Sequence, residues 1–224
     1  MSEFIVKFIN DFKISFINNF ITDDRWQYLT KGLFVTLQIT FFAVIIGIFL
    51  GFLIAIIRTT YDKTNKLKVL NAICKLYITI IRGTPVVLQL LIIYYVVFAT
   101  VAIDKVLAAV IAFGLNSAAY VAEIVRSGIM SVDEGQMEAG RSLGFTYGQT
   151  MWHIVLPQAF KNILPALGNE FIVLLKETSV SGYIALADLT KGGEYIRSRT
   201  YDAFMPLIAV AIIYLSIVML LTHL

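Results

Sequence analysis

SVDEGQMEAGRSLGFTYGQTMWHIVLP, residues 131–157, is a polar interlude between two strongly apolar regions. Its punctuation is that of two helices joined at a glycine. Ser131 and Glu134 stand at capping-box spacing. In that box the hydroxyl satisfies a free backbone N–H and the glutamate reaches back to the cap residue's own N–H, so a helix is predicted from about Val132. Gly144 is the predicted stop, because a helix C-terminus commonly needs one left-handed residue and glycine adopts that conformation without Cβ strain. Thr146 and Gln149 repeat the box, Phe145 is placed to staple the entry, and a second helix carries Trp152 to Leu156 back into apolar sequence. The interlude then holds a short crosswise helix of about 12 residues, roughly 18 Å at 1.5 Å per residue.

The flanks decide the class. Among 224 residues 58% are hydrophobic and 15% charged, and the mean hydropathy is +0.81. Soluble domains approach a quarter charged, so an all-α integral membrane protein is expected, organised as a single domain over 1–224. The net charge of +3 is small and the basic residues gather beside apolar segments, which suits an anionic cytoplasmic leaflet better than nucleic acid. Cys74, the one cysteine, cannot close an intrachain disulfide and reads as a small buried hydrophobe. Residues 1–25 interleave Glu3, Lys7, Asp11 and Lys13 with Phe and Ile and offer no continuous h-region for a cleavable signal peptide.

Phe4, Ile5, Phe8, Phe12, Phe16 and Phe20 recur at spacings of three and four, predicting an amphipathic helix over 3–20 for the outer membrane surface. Five transmembrane helices follow, at about 28–57, 84–100, 106–130, 150–176 and 203–222, judged against the roughly 20 residues that a bilayer core requires. Gly47 and Gly51 form a GxxxG, a spacing that lets another helix approach closely and that also arises by chance in apolar helices. Arg58, Lys63, Lys66, Lys68, Lys75 and Arg82 stand against the single acid Asp62. The positive-inside rule makes that side cytoplasmic, with the N-terminus outside, the C-terminus inside and the 131–157 stretch in the cytoplasm. Leu70, Ile73, Tyr77 and Ile81 form a stripe, predicting an amphipathic helix over 65–82 that Pro85 ends. Pro157 and Pro165 each delete a backbone donor and are expected to bend the fourth span, and 182–200 reads as a polar external loop.

No G-x4-GK[ST] phosphate loop, G-x-S-x-G elbow or H-E-x-x-H is present. No catalytic residue and no metal ligand is assigned, and the chain is not expected to hydrolyse ATP itself. Polar groups inside apolar spans say more, because burying them in a bilayer is expensive. Asn116, Tyr120 and Glu123 share one helix face beside Ser117, while Asn169, Glu170 and Thr178 lie along or just past the fourth span. Two readings stand for them. They bond helix to helix as glue, with Glu170 paired to a basic residue, or they line a midplane pathway where an amino-acid zwitterion meets compensating charges. Glu123 and Arg126, at i and i+3, are expected to pair on their own helix near the inner interface.

Glu138-Ala139-Gly140, then Gly144, then Ile154-x-Leu156-Pro157 resembles the EAA loop of ABC-importer permeases, EAA-x3-G-x9-I-x-LP, with Gly140 in place of the usual alanine. NSAAYVAEIVRSGI before the loop, LPALGNEFIVLLKETS after it and RGTP at Arg82–Pro85 are similar to the polar amino acid uptake branch of that family. In this family a matching Asn-Glu pair is common to permeases with different substrates. The resemblance implies a permease subunit in a prokaryotic plasma membrane, with a coupling helix at about 132–143. Glu138, Ala139, Gly140, Leu143 and Gly144 would dock on a separate pair of ATP-binding cassette subunits. ATP and Mg would sit on those subunits, leaving this chain without a cofactor. A five-span chain is half a pathway, so the implied partners include a second permease chain, identical or similar, besides an extracytoplasmic substrate-binding protein, membrane lipid and the amino acid. The rival class is an ATP-independent secondary transporter or channel. A structural assembly protein fits the midplane polar residues less well.

Overall fold

Small residues decide how this chain packs. The computed structural model describes residues 2–223, and among them every regular element is helical. In order they are α1 (Ser2–Phe16), α2 (Trp26–Thr64), α3 (Lys68–Arg82), α4 (Val86–Ile92), α5 (Lys105–Met130), α6 (Glu134–Ser142), α7 (Tyr147–Thr150), α8 (Leu156–Glu177), α9 (Leu189–Thr200) and α10 (Phe204–Thr222). Along α2, Ile39, Ala43, Gly47, Gly51, Ala55 and Thr59 recur every fourth residue and all are buried. Gly47 lies against Ser117 and Gly51 against Val121, while Gly114 of α5 lies against Ile46. Residue numbers rise together along both helices, so α2 and α5 run parallel. A Cβ on Gly51 would stand 2.6 Å from Val121 Cβ, so the GxxxG is a working contact and not a chance spacing. Lipid offers no hydrophobic drive for helices to associate, and close backbone approach supplies the dispersion contact that does.

α2, α5 and α10 are each long and apolar enough to cross a membrane. α3 and α4, the latter continued by a π turn over Ile93–Val97, pass that test only as a pair, bent by 108° at the Gly83–Pro85 break. α8 does not pass it, because it carries polar residues along its length. Phe34, Phe41 and Phe49 of α2 are exposed, as a lipid-facing surface requires. The two larger of four buried clusters lie around Ile39, Leu90, Phe113 and Leu174 and around Ala55, Val121, Val125, Ala159 and Ile163.

Several expectations change. The crosswise helix begins at Glu134, not Val132, and has 9 residues. Ser131 does not cap it, because its hydroxyl donates to the Gly128 carbonyl at 2.8 Å. Asp133 takes the role, accepting from Gly135 N at 2.7 Å. Pro157 sits in the first turn of α8, directly after a π turn over Met151–Val155, so the change in helical hydrogen-bond pattern falls where its N–H is missing. Pro165 lies within α8 without ending it.

The segment 182–200 is no loop. A 3-10 turn over Thr178–Ile184 leads to α9, whose Leu189, Gly192, Gly193 and Ile196 are buried. Gly32 of α2 lies against the Asp188 backbone and Gly192 against the Tyr28 carbonyl. Leu189 N donates to Thr36 Oγ1 at 3.1 Å, tying α9 to α2. Spacings of three, four and seven within that polar stretch were the sequence signal for a buried helical stripe.

Candidate functional site

α5 presents the predicted polar face, and four neighbouring elements, α2, α3, α4 and α8, answer it. Asn116 is 2% exposed, and its Nδ2 donates to Gln89 Oε1 at 3.0 Å. Gln89 Nε2 in turn donates to the carbonyls of Ile81 at 2.7 Å and Thr84 at 3.0 Å. Pro85 cannot donate a backbone hydrogen bond, and this amide satisfies carbonyls that the bend leaves open. One asparagine on α5 is therefore linked to the α3–α4 break. Gln89 went unmarked in the sequence, although it is the only amide in an otherwise apolar run from Val86 to Val97.

Ser117 Oγ donates to Glu170 Oε1 at 2.9 Å, and both residues are buried. Glu170 was expected beside a cation in the glue reading. Its hydrogen-bond partner is instead the Ser117 hydroxyl. Asn169 is exposed and takes no part. Thr178 is buried but donates to the Leu175 carbonyl at 2.7 Å, which satisfies it locally.

Tyr120 and Glu123 border a cavity of about 430 Å³ with Arg82, Asn162 and Ser131. The Arg82 guanidinium stands 5.4 Å from the centre of the Tyr120 ring, within cation–π range. Asn162 Nδ2 donates to Ser131 Oγ at 2.8 Å. A guanidinium, a phenol and a carboxylate thus face one space. The structure separates the predicted residues: Asn116, Ser117 and Glu170 are knitted into the helix contacts, while Tyr120 and Glu123 reach the cavity.

Glu123 does not pair with Arg126. It pairs with Arg58 of α2, and Arg126 Nε pairs with Asp62 Oδ2 at 3.1 Å. Just beyond, Lys63 Nζ meets Glu134 Oε1 at 2.9 Å and holds the Glu134 carboxyl below its usual range through that hydrogen bond and the lysine charge.

α6 closes this end. Glu138, Ala139, Leu143 and Gly144 are exposed, Leu143 as an apolar side chain on a polar helix. Gly140 is buried: a Cβ there would stand 2.5 Å from Thr150 Cγ2 and 2.9 Å from Ile154 Cδ1. That contact is a physical reason for glycine where alanine is usual. Gly144 has φ +88, and Phe145 N donates to Gly140 O at 3.1 Å and Gly144 N to Arg141 O at 3.0 Å, which is a Schellman C-cap. Thr146 and Gln149 close the predicted capping box. Among the described residues no three His, Cys, Asp or Glu side chains gather as metal ligands would.

The sequence model of the family described as "binding-protein-dependent transport system inner membrane component" matches residues 43–224. The arginine transport system permease protein ArtQ of Bacillus subtilis is 41% identical over 197 residues, covering 87% of this chain and 88% of that protein. The L-cystine transport system permease protein TcyB of the same organism is 38% identical over 199 residues, covering 88% and 83%. A solved chain described as belonging to an amino acid ABC transporter with histidines superposes with a TM-score of 0.82 at 42% identity, covering 91% of this chain and 94% of its own.

Proposed function

The chain belongs to the family of binding-protein-dependent transport system inner membrane components, and from that premise we propose that it forms the translocation pathway of an ATP-driven importer for a polar amino acid. It is not itself an enzyme. Hydrolysis of ATP falls to a separate pair of ATP-binding subunits, an external binding protein delivers the substrate, and a second permease chain completes the pathway. The observation that carries the substrate class is the cavity shared by Arg82, Tyr120 and Glu123. It offers the Arg82 guanidinium to an α-carboxylate, with the Tyr120 ring and hydroxyl-bearing side chains beside it and the Glu123 carboxylate on the same wall already paired to Arg58. Relatives at near-equal identity named for arginine and for cystine fit a pathway that reads the shared zwitterion more than one side chain.

Five spans are α2, the α3–α4 pair, α5, α8 and α10. α8 has 22 residues, about 33 Å at 1.5 Å per residue, and Glu170 and Asn162 on it find protein partners. The basic run from Arg58 to Arg82 supports a cytoplasmic α6 and an external N-terminus. α6 is the coupling helix, with Glu138, Ala139 and Leu143 toward the ATP-binding subunit, Gly140 turned inward as its seat and Gly144 setting its exit.

The test is uptake of radiolabelled amino acids into proteoliposomes holding the assembled complex and binding protein. Accumulation should require ATP, and Arg82→Ala should abolish it. ATP-independent uptake would establish the secondary-transporter class instead.

A further inference from the structure

We infer that Arg58 and Asp62 of α2, with Glu123 and Arg126 of α5, are positioning residues: their cross-paired charges lock the register of the two helices, so that α2, α5 and α6 move as one body. The inference rests on α6 being the coupling helix.

Each helix carries opposite charges at a spacing that lets it pair with itself, Arg58 with Asp62 at i,i+4 and Glu123 with Arg126 at i,i+3. Neither does. Arg58 pairs with Glu123 and Asp62 with Arg126. The side chains of the first pair are 11% and 25% exposed and those of the second 25% and 28%, which spares them most of the salt screening that exposed pairs suffer.

The packing above these pairs explains why a lock is needed. Ala43, Gly47, Gly51 and Ala55 repeat every four residues on α2. A small-residue ridge of that kind offers α5 nearly the same fit after a slip of one turn, about 5.4 Å. Charge removes that freedom. Along α2 the order is plus at 58 and minus at 62, and along α5 it is minus at 123 and plus at 126. A slip of one turn in one direction sets Arg58 level with Arg126, and in the other sets Asp62 level with Glu123. Like charge then meets like in a shielded place. Setting register is the best attested use of buried ionic groups. Lys63 also meets Glu134 in the first turn of α6, an exposed contact that adds little by itself, so a displacement of α6 reaches α5 through the chain and α2 through the cross-paired charges.

Two double variants separate pairing from alternation of sign. Asp62→Glu with Arg126→Lys keeps both. Asp62→Arg with Arg126→Asp keeps a pair at this position and at Arg58–Glu123, but leaves α2 with two cations and α5 with two anions, so a slipped register is paired as well. The full complex in lipid nanodiscs, with Cys74→Ser and spin labels at the exposed positions Phe49 and Leu107, reports register as a distance. One distance is expected for wild type and for the sign-preserving pair. The sign-swapped pair should assemble, show a second population displaced by up to about 5 Å, and lose substrate stimulation of ATP hydrolysis. A single wild-type distance with full stimulation in the sign-swapped pair would overturn the register lock. Gly144→Val in the same assay keeps the two readings apart: if it uncouples and the swapped pair does not, only the register lock falls, and if it fails to uncouple, the coupling-helix reading falls.

Discussion

A Cβ on Gly47 would lie 2.7 Å from the Ser117 hydroxyl, the same hydroxyl that donates to Glu170 at 2.9 Å. Contact between α2 and α5 therefore holds in place the donor for a buried carboxylate on α8. Gly47→Val must part the helices, an overpacking cost of about 1–3 kcal/mol, and should lower the melting temperature of the purified complex by several degrees. Gly168 of α8 has nothing within 4 Å of its added Cβ, so Gly168→Ala should melt at or above wild type. Equal melting of the two variants would remove the close-contact argument.

Asn116→Leu deletes the donor to Gln89 Oε1 and leaves that acceptor buried at a cost of about 1–3 kcal/mol. Transport should fall while the complex still assembles, because Gln89 keeps its two bonds to the Ile81 and Thr84 carbonyls. Gln89→Leu removes those bonds as well and should cost more. Unchanged uptake kinetics for Asn116→Leu would assign that hydrogen bond to helix adhesion alone.

Gly144 and Gly140 should fail differently. Gly144 has φ +88 with open space around an added Cβ, so valine there brings backbone strain of roughly 1–3 kcal/mol and no clash. Gly144→Val should insert normally and lose substrate-stimulated ATP hydrolysis, whereas Gly144→Asn, which tolerates the left-handed region, should retain much of it. Gly140→Ala instead presses on Thr150 and Ile154, and the second substitution Thr150→Ser, which removes the methyl at 2.5 Å, should relieve part of it. ATPase assays in lipid with and without binding protein read both. Wild-type stimulation in Gly144→Val would make the loop a passive connection.

Asp202 accepts from Ser15 Oγ and Asn19 Nδ2, each at 2.7 Å, and from the Phe204 and Met205 amides. The Ser15 bond is the leading cause that holds its carboxyl below the usual aspartate range. A lowered folded value means that the stabilisation is complete above the unfolded aspartate pKa of about 3.9 and is lost as pH falls through the folded value. Wild type should resist proteolysis of the N-terminal segment better than Asp202→Asn at pH 7, and the difference should vanish only in acid below that range. A constant difference across the whole titration would show that Asp202 acts by shape and not by charge.

Orientation can be read with an impermeant thiol reagent in a Cys74→Ser background. Single cysteines at Asp104 and Lys191 should react from outside sealed cells, and one at Gln136 should not. Labelling at Gln136 would reverse the placement of α6.

What the sequence determined by itself is what physics decides within a few residues or by composition. Apolar length and charge asymmetry announce a multi-span membrane protein, because a bilayer core admits little else. Gly144 and the Thr146–Gln149 box were legible because capping acts between residues no more than a few apart. The tertiary structure decided everything that depends on register between remote segments. Ser131 looked like a cap, but Gly128 and Asn162 engage its hydroxyl and Asp133 caps instead. Glu123 looked paired with Arg126, yet Arg58 reaches it across the seam, and Glu170 found a serine where a cation was expected. The stretch from Gly182 to Thr200 looked like loop because its charges hide a buried stripe that packs against both α2 and α10. A side chain chooses its partner after the backbones have docked, and here docking is set by where Gly32 lets the start of α9, and Gly47 and Gly51 let α5, approach α2.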